Sequence, residues 1–152
     1  MLPELVDGVL PEGVHDATLE EVQTAFGRFQ RSDRRIRLTE TLRRFVEEAR
    51  RSGLVEAIIL DGSYVTAKEE PSDIDLLVEV RPEIDQSASL RPFEYNVVSR
   101  RAVRRDYHFD LFVGKQGDQA YQDALKLFAR VRTDDSNFQS ARQAKGMVRV
   151  VL

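Results

Sequence analysis

The chain has 152 residues, of which 41% are hydrophobic and 32% charged, and its formal net charge is −3. This composition suits one domain with a buried core and excludes a wholly disordered chain. The absence of cysteine excludes disulfides, thiolate metal sites and thiol nucleophiles, and the two histidines are too few for a multi-histidine zinc site.

Two further features set expectations about location and partners. No apolar run reaches the roughly 20 residues that a membrane-spanning helix needs, and the first residues lack the basic flank of a signal peptide. We therefore expect a cytoplasmic protein that does not enter a membrane. The net negative charge also predicts no strong non-specific binding to DNA.

The first third of the chain is predicted to hold an arm and two helices. Residues 1–17 are punctuated by Gly and Pro, so we predict an irregular N-terminal arm, followed by a single domain over residues 18–152. Thr18 and Glu21 have the spacing of a capping box, which predicts a first short helix. Apolar residues at helical spacing predict a second helix that ends at Gly53.

The rest of the chain alternates between predicted strands and helices. Short apolar runs rich in β-branched residues predict strands at 55–60, 74–80, 107–113 and 147–152. Residues 92–105 are ambiguous, and we favour a helix for their second half. Asp118 is predicted to cap a last helix, whose apolar face comprises Tyr121, Ala124, Leu125, Phe128 and Val131, with a polar turn at 133–144. This order predicts an α/β (α+β) fold, a mixed sheet flanked by helices.

The residues that can carry chemistry gather at the ends of three predicted strands. Gly62 and Ser63 follow the first strand, where glycine lets the backbone approach a phosphate closely and serine adds a hydroxyl. Asp73 and Asp75 are two residues apart at the start of the next strand, so both carboxylates point to one face. Asp110 lies in the third strand and is the best placed base. Three such carboxylates can hold two Mg²⁺ ions about 3.5–4 Å apart.

These residues form a recognisable motif. It consists of Gly62-Ser63 and then Ser72-Asp73-Ile74-Asp75-Leu76-Leu77-Val78. The motif resembles the signature of the polymerase-beta-like nucleotidyltransferase superfamily, and most closely that of its small, stand-alone members, the minimal nucleotidyltransferases. The match covers residues 55–80 and extends to 107–113, and the remainder looks like a family of short bacterial proteins assigned to that superfamily.

The resemblance implies a nucleotidyltransferase fold, binding of Mg²⁺ with an NTP, and transfer of a nucleoside monophosphate with release of pyrophosphate. It places Gly62 and Ser63 on the triphosphate and the three aspartates on the metal ions. Minimal members commonly carry Ala-Arg-Gly after the aromatic residue that follows Gly-Ser. This chain has Val65-Thr66-Ala67-Lys68 there, so Thr66 or Lys68 is expected to replace the arginine on the phosphates.

No separate base-recognition domain follows the motif, so the choice of NTP is open, with ATP the expected donor. The expected acceptor is a hydroxyl on a protein side chain, an RNA end or a small molecule. Minimal relatives are often one half of a toxin–antitoxin or phage-defence pair, so such a role is implied here as well. The alternative is a binding module of the same fold with weak or no catalysis, which the absent arginine favours and the three aspartates oppose. A metal-dependent phosphohydrolase is a third hypothesis, disfavoured because Gly-Ser before Asp-x-Asp suits NTP binding.

Three side chains near the predicted site allow a structural as well as a functional interpretation. Tyr64 is predicted to pack beside the Gly-Ser turn, and Asp106 is predicted to be solvated ahead of the third strand. On a continuous strand, His108 shares the face of Asp110. It could therefore line the pocket as an acid, a base or a stacking partner, or it could simply be partly exposed.

Basic residues outside the motif have open roles. The arginines of 34–51 and 100–105 are predicted to face solvent, although those of 100–105 could guide a polyanionic acceptor such as RNA to the acidic centre. Lys145 precedes the last predicted strand, where it could reach a phosphate or be a solvated side chain in a turn.

Overall fold

The computed structural model describes residues 1–27, 33–68, 71–85, 90–130 and 144–152. The helices and strands are β1 (Val14–Ala17), α1 (Leu19–Phe26), α2 (Arg34–Ser52), β2 (Val55–Asp61), β3 (Asp75–Val80), α3 (Pro92–Val98), α4 (Arg100–Tyr107), β4 (Asp110–Gly114), α5 (Gln119–Phe128) and β5 (Met147–Val151). Within this part of the chain, the strands form one sheet in the order β1-β5-β2-β3-β4. The prediction of a mixed sheet flanked by helices is confirmed.

The pairing of the strands determines which residues meet at each edge of the sheet. β3 runs antiparallel to β2 and parallel to β4. β5 runs antiparallel to β2 and parallel to β1. Consequently, the beginnings of β3 and β4 and the end of β2 all lie at the same edge of the sheet.

Helices cover both faces of the sheet. Helices α1 to α4 pack on one face, against alternate residues that include Ile58, Leu76 and Val148. Helix α5 packs on the other face, against Ile59 and Leu77. Every residue of β3 is buried, as expected for a strand covered on both sides.

The prediction of an irregular arm over residues 1–17 is wrong at its end, because Val14–Ala17 forms β1 alongside β5. The arm also contributes to the core, since Leu10 is fully buried and its carbonyl accepts a hydrogen bond from Gly146 N–H. Polar residues in the middle of β1 gave no strand signal. Its partner is supplied by the other end of the chain, which local pattern does not reveal.

The region from α3 to β4 also differs from its prediction. The ambiguous segment forms two helices, α3 and α4, so a helix in its second half is confirmed. The strand predicted at 107–113 begins only at Asp110, because Tyr107 belongs to α4 and packs edge-on against Phe45. His108 ends that helix in a left-handed conformation with φ 61° and is exposed. It is therefore not on the strand, and the prediction that it shares the face of Asp110 is wrong.

Some predictions fall outside the described residues. Val131 and nearly all of the polar turn at 133–144 lie there, as does the start of the second predicted helix near Ser32. The other residues of the predicted α5 stripe are buried or half-buried, as expected. Of the helices described, none is both long and apolar enough to cross a membrane.

Candidate metal centre

Three aspartates converge at the edge of the sheet where β3 and β4 begin. Asp75 and Asp110 are register partners in the parallel β3–β4 ladder, and Asp73 lies two residues before β3. Each of the three offers a carboxylate oxygen, and these oxygens all lie within 4.8 Å of one another. Asp75 is buried, whereas Asp73 and Asp110 are half-buried and thus accessible to a ligand.

Core packing explains why the carboxylates face the same way. Ile74 and Leu76 flank Asp75 and are fully buried in the core beneath α1 to α4. Phe109 and Leu111 flank Asp110 and are buried in that same cluster. Because side chains alternate along a strand, burying these neighbours turns both carboxylates to the opposite face.

A tight turn after β2 packs directly against the aspartates. Gly62 has φ +91°, a conformation that side chains disfavour. A Cβ there would lie 3.2 Å from the carbonyl oxygen of Asp73 and from the amide nitrogen of Asp75. Ser63 Oγ accepts a hydrogen bond from Ser72 N–H at 3.1 Å, which ties the turn to the segment leading into β3. The predicted Gly-Ser turn and Asp-x-Asp segment are thus in contact.

Thr66 and Lys68 continue this turn. The Thr66 hydroxyl donates to the Ser63 carbonyl at 2.6 Å and accepts from Lys68 N–H at 3.2 Å, so it holds the turn closed. Thr66 is buried and Lys68 is half-buried. Both residues are close in the chain to the Gly-Ser turn, and their role as phosphate ligands stays a prediction.

Arg35 is hydrogen-bonded to the backbone of the same turn. It is fully buried, and its guanidinium donates to the carbonyls of Tyr64 at 2.6 Å, Thr66 at 2.7 Å and Lys68 at 2.5 Å. Burial lowers the pKa of Arg35 to about 10, which leaves it charged at neutral pH. The prediction that the arginines of 34–51 form a solvated face is wrong for Arg35. The available signal was its position seven residues before Leu42, on the apolar face of α2.

Tyr64 and Asp106 lie where they were predicted. Tyr64 is fully buried, its hydroxyl pairs with Thr39 Oγ1 at 2.6 Å, and burial raises its pKa. Asp106 is exposed and pairs with Arg105 at 2.8 Å, which lowers the pKa of that carboxyl. Neither residue belongs to the aspartate cluster found among the described residues.

Two cations lie at the site beside aspartates. Lys145 is buried and its ammonium contacts Asp61, which is the register partner of Asp75 across β2 and β3. Lys145 is therefore not the solvated side chain that a turn position suggested. On the other side, Arg104 Nη1 contacts Asp110 Oδ1 at 2.8 Å. Sequence analysis identified neither pair, because both depend on which elements meet.

One comparison with known proteins is informative. A family model matches residues 3–151, nearly the whole chain. The chain belongs to the DUF6932 family. The description of DUF6932 is a family of unknown function. Comparison with curated proteins and with solved structures gave no match. The function of this DUF6932 protein is therefore inferred from its own residues and the geometry of the site.

Proposed function

We propose that the protein is a Mg²⁺-dependent nucleotidyltransferase that moves a nucleoside monophosphate from an NTP, with ATP the expected donor, to a hydroxyl acceptor. The observation that carries this proposal is the contact between two features. The carboxylates of Asp73, Asp75 and Asp110 lie within 4.8 Å of one another, and Gly62 of the Gly-Ser turn packs against the Asp73–Asp75 segment. This contact supports a metal site next to a phosphate-binding turn.

The donor atoms at the cluster fit Mg²⁺. Carboxylate oxygens are the hard ligands that this ion prefers, and the described cluster contains no softer sulfur or imidazole donor. Asp73, Asp75 and Asp110 would hold the metal. When bound, Mg²⁺ neutralises phosphate charge and lowers the pKa of an attacking hydroxyl. Two ions are expected with an NTP, one of them carried by the triphosphate.

The backbone of the turn is suited to a triphosphate. Gly62 has no side chain to block a phosphate next to Asp73 and Asp75, and the Ser63 backbone N–H and hydroxyl could donate to phosphate oxygens. Lys68 would add a positive charge from the end of the turn. The bonds from Arg35 to the carbonyls of Tyr64, Thr66 and Lys68 hold this loop in one shape before a ligand arrives.

The transfer step follows from this arrangement. The acceptor oxygen forms a bond to the α-phosphorus, and the bond from that phosphorus to the α,β-bridging oxygen breaks. Pyrophosphate leaves with the electron pair. Asp110 takes the proton of the attacking hydroxyl and returns it to solvent. Asp73 and Asp75 fix the position of the metal-bound triphosphate.

The acceptor is a hydroxyl of a protein side chain, an RNA end or a small molecule, and a toxin–antitoxin or phage-defence pair is the proposed setting. The proposal is tested by incubating the protein with each α-labelled NTP, Mg²⁺ and a cell lysate. We expect label on a protein, RNA or small-molecule fraction from the wild type and none from an Asp73→Asn/Asp75→Asn variant. Equal labelling by both proteins would contradict the proposal. NTP binding without any transfer would identify the alternative, a binding module of this fold.

A further inference from the structure

Arg104 lies beside the aspartate cluster, and the proposed reaction gives it no role. Its Nη1 donates to Asp110 Oδ1 at 2.8 Å, and the side chains of Arg104 and Asp110 are 62% and 47% exposed. One of the three proposed metal ligands is thus paired with a cation.

We infer that Arg104 couples metal binding to nucleotide binding. Its guanidinium pairs with Asp110, and it binds a phosphate of the nucleotide once a metal ion has taken that carboxylate. This inference rests on the proposed function and assigns a positioning residue to the same site.

Arg104 and a bound metal ion would compete for Asp110. A guanidinium and a divalent cation on one carboxylate are like charges a few ångströms apart, and they repel one another. The cation that binds the Asp110 carboxylate more weakly is displaced. Ion pairs as exposed as Arg104–Asp110 contribute little free energy, so the metal can displace this guanidinium at small cost.

The displaced Arg104 guanidinium remains next to the aspartate cluster. Arg104 sits on α4, one short connection before β4, so its backbone position does not depend on the ion pair. A planar guanidinium binds phosphate oxygens through two parallel hydrogen bonds, and a triphosphate held at the aspartates would be within reach of its side chain.

Neighbouring cations are less suited to this role. Lys145 is buried beside Asp61, with only 9% of its side chain exposed, so it has little freedom to move. Arg105 pairs with Asp106 and not with the cluster. Arg105 carries the same charge on the same helix and therefore serves as a matched control.

The test measures Mn²⁺ binding by electron paramagnetic resonance, and it measures binding of a non-hydrolysable ATP analogue in the presence of Mn²⁺ by calorimetric titration. The proteins are the wild type, Arg104→Gln, Arg104→Lys and Arg105→Gln. Without nucleotide, Arg104→Gln should bind Mn²⁺ about two- to fivefold more tightly than the wild type. With Mn²⁺ present, it should bind the analogue about tenfold more weakly. Arg104→Lys should bind Mn²⁺ like the wild type and the analogue with intermediate affinity, and Arg105→Gln should match the wild type in both measurements.

The outcomes separate this inference from the proposed function. If the wild type binds Mn²⁺ and the analogue but Arg104→Gln binds both equally well, Arg104 has no coupling role and the proposed function stands. If Arg105→Gln showed the same effects, they would reflect the overall positive charge near the site rather than Arg104 in particular, and the inference would be overturned. If the wild type binds no Mn²⁺ at the cluster, the proposed function and the inference both fail.

Discussion

Asp75 and Asp110 are direct neighbours across the parallel β3–β4 ladder, and each is the first residue of its strand. This pairing joins carboxylates from two distant parts of the chain. Asp73 completes the cluster just before β3, on the segment against which Gly62 packs. The cluster therefore depends on the register of the sheet, and substitutions that keep the register test the site without disturbing the fold.

Replacing Asp73 and Asp75 together by Asn should abolish Mg²⁺-dependent NTP binding and leave the fold intact. Three carboxylates within 4.8 Å repel one another, so the free energy of unfolding without metal should be unchanged or slightly higher. Calorimetric titration with Mg²⁺ and NTP, together with thermal unfolding, measures both effects. Asp106→Asn/Asp123→Asn is the matched control, since both residues are exposed. Unchanged affinity for Mg²⁺ and NTP in the Asp73→Asn/Asp75→Asn protein would refute the site assignment.

Gly62→Val should lose NTP binding because its side chain would crowd Asp73 and Asp75 and occupy the space of a phosphate. Gly117→Val separates this effect from backbone strain. Gly117 has φ +87°, close to the +91° of Gly62, but nothing lies within 4 Å of its ideal Cβ. Both variants should lose about 1–3 kcal/mol of stability from the unfavourable backbone angle. Only Gly62→Val should lose affinity in a nucleotide titration, and normal affinity would show that the turn merely ends β2.

Asp110→Asn should separate transfer from binding. Asp73 and Asp75 can still hold the metal that enters with the NTP, so affinity should change by only a few fold, whereas transfer should fall by a factor of roughly 100 or more. Rates with labelled NTP and affinities from titration give the two values. Asp106→Asn, a nearby exposed aspartate outside the cluster, should keep full transfer. Full transfer by Asp110→Asn would mean that another residue supplies the third carboxylate.

Arg35→Leu should destabilise the protein by about 3 kcal/mol or more, because carbonyls buried around the guanidinium would lose their donor. Arg43→Leu is the control, since Arg43 is exposed and pairs with Glu40 on its own helix, so its loss should cost less than about 1 kcal/mol. Urea unfolding compares the two variants. Equal midpoints would contradict the structural role assigned to Arg35.

The sequence predicted the face of each carboxylate because the signals for it are local, whereas the meeting of Asp110 with Asp75 across β3 and β4 depends on sheet register and was implied by the family resemblance. Gly62 ends an apolar run, and the alternation around Asp75 and Asp110 fixes the face of each carboxylate within one strand. Arg35 and Lys145 were not predicted, because a charged residue resembles a solvated one until its acceptors are known. Those acceptors lie on other elements: the loop after β2 for Arg35, and Asp61 for Lys145.

Helix and strand bounds were likewise predicted correctly where the signal is local and wrongly where it depends on distant residues. The capping box at Thr18 and the stop at Gly53 are local signals, and α1 and α2 have the predicted cap and end. β1 lacks alternating polarity and forms only because β5 offers a free edge. Tyr107 was assigned to the predicted strand because aromatic residues suit strands, but it is the last residue of α4 and its ring packs on Phe45 of α2.

Binding of metal and triphosphate at the aspartates is tested by a crystal structure with Mn²⁺ and a non-hydrolysable ATP analogue, in which anomalous scattering locates the metal. We expect a Mn²⁺ peak within about 2.3 Å of oxygens from Asp73, Asp75 and Asp110, with the triphosphate against the Gly62–Ser63 turn. Metal bound elsewhere, or a triphosphate that does not contact this turn, would contradict it.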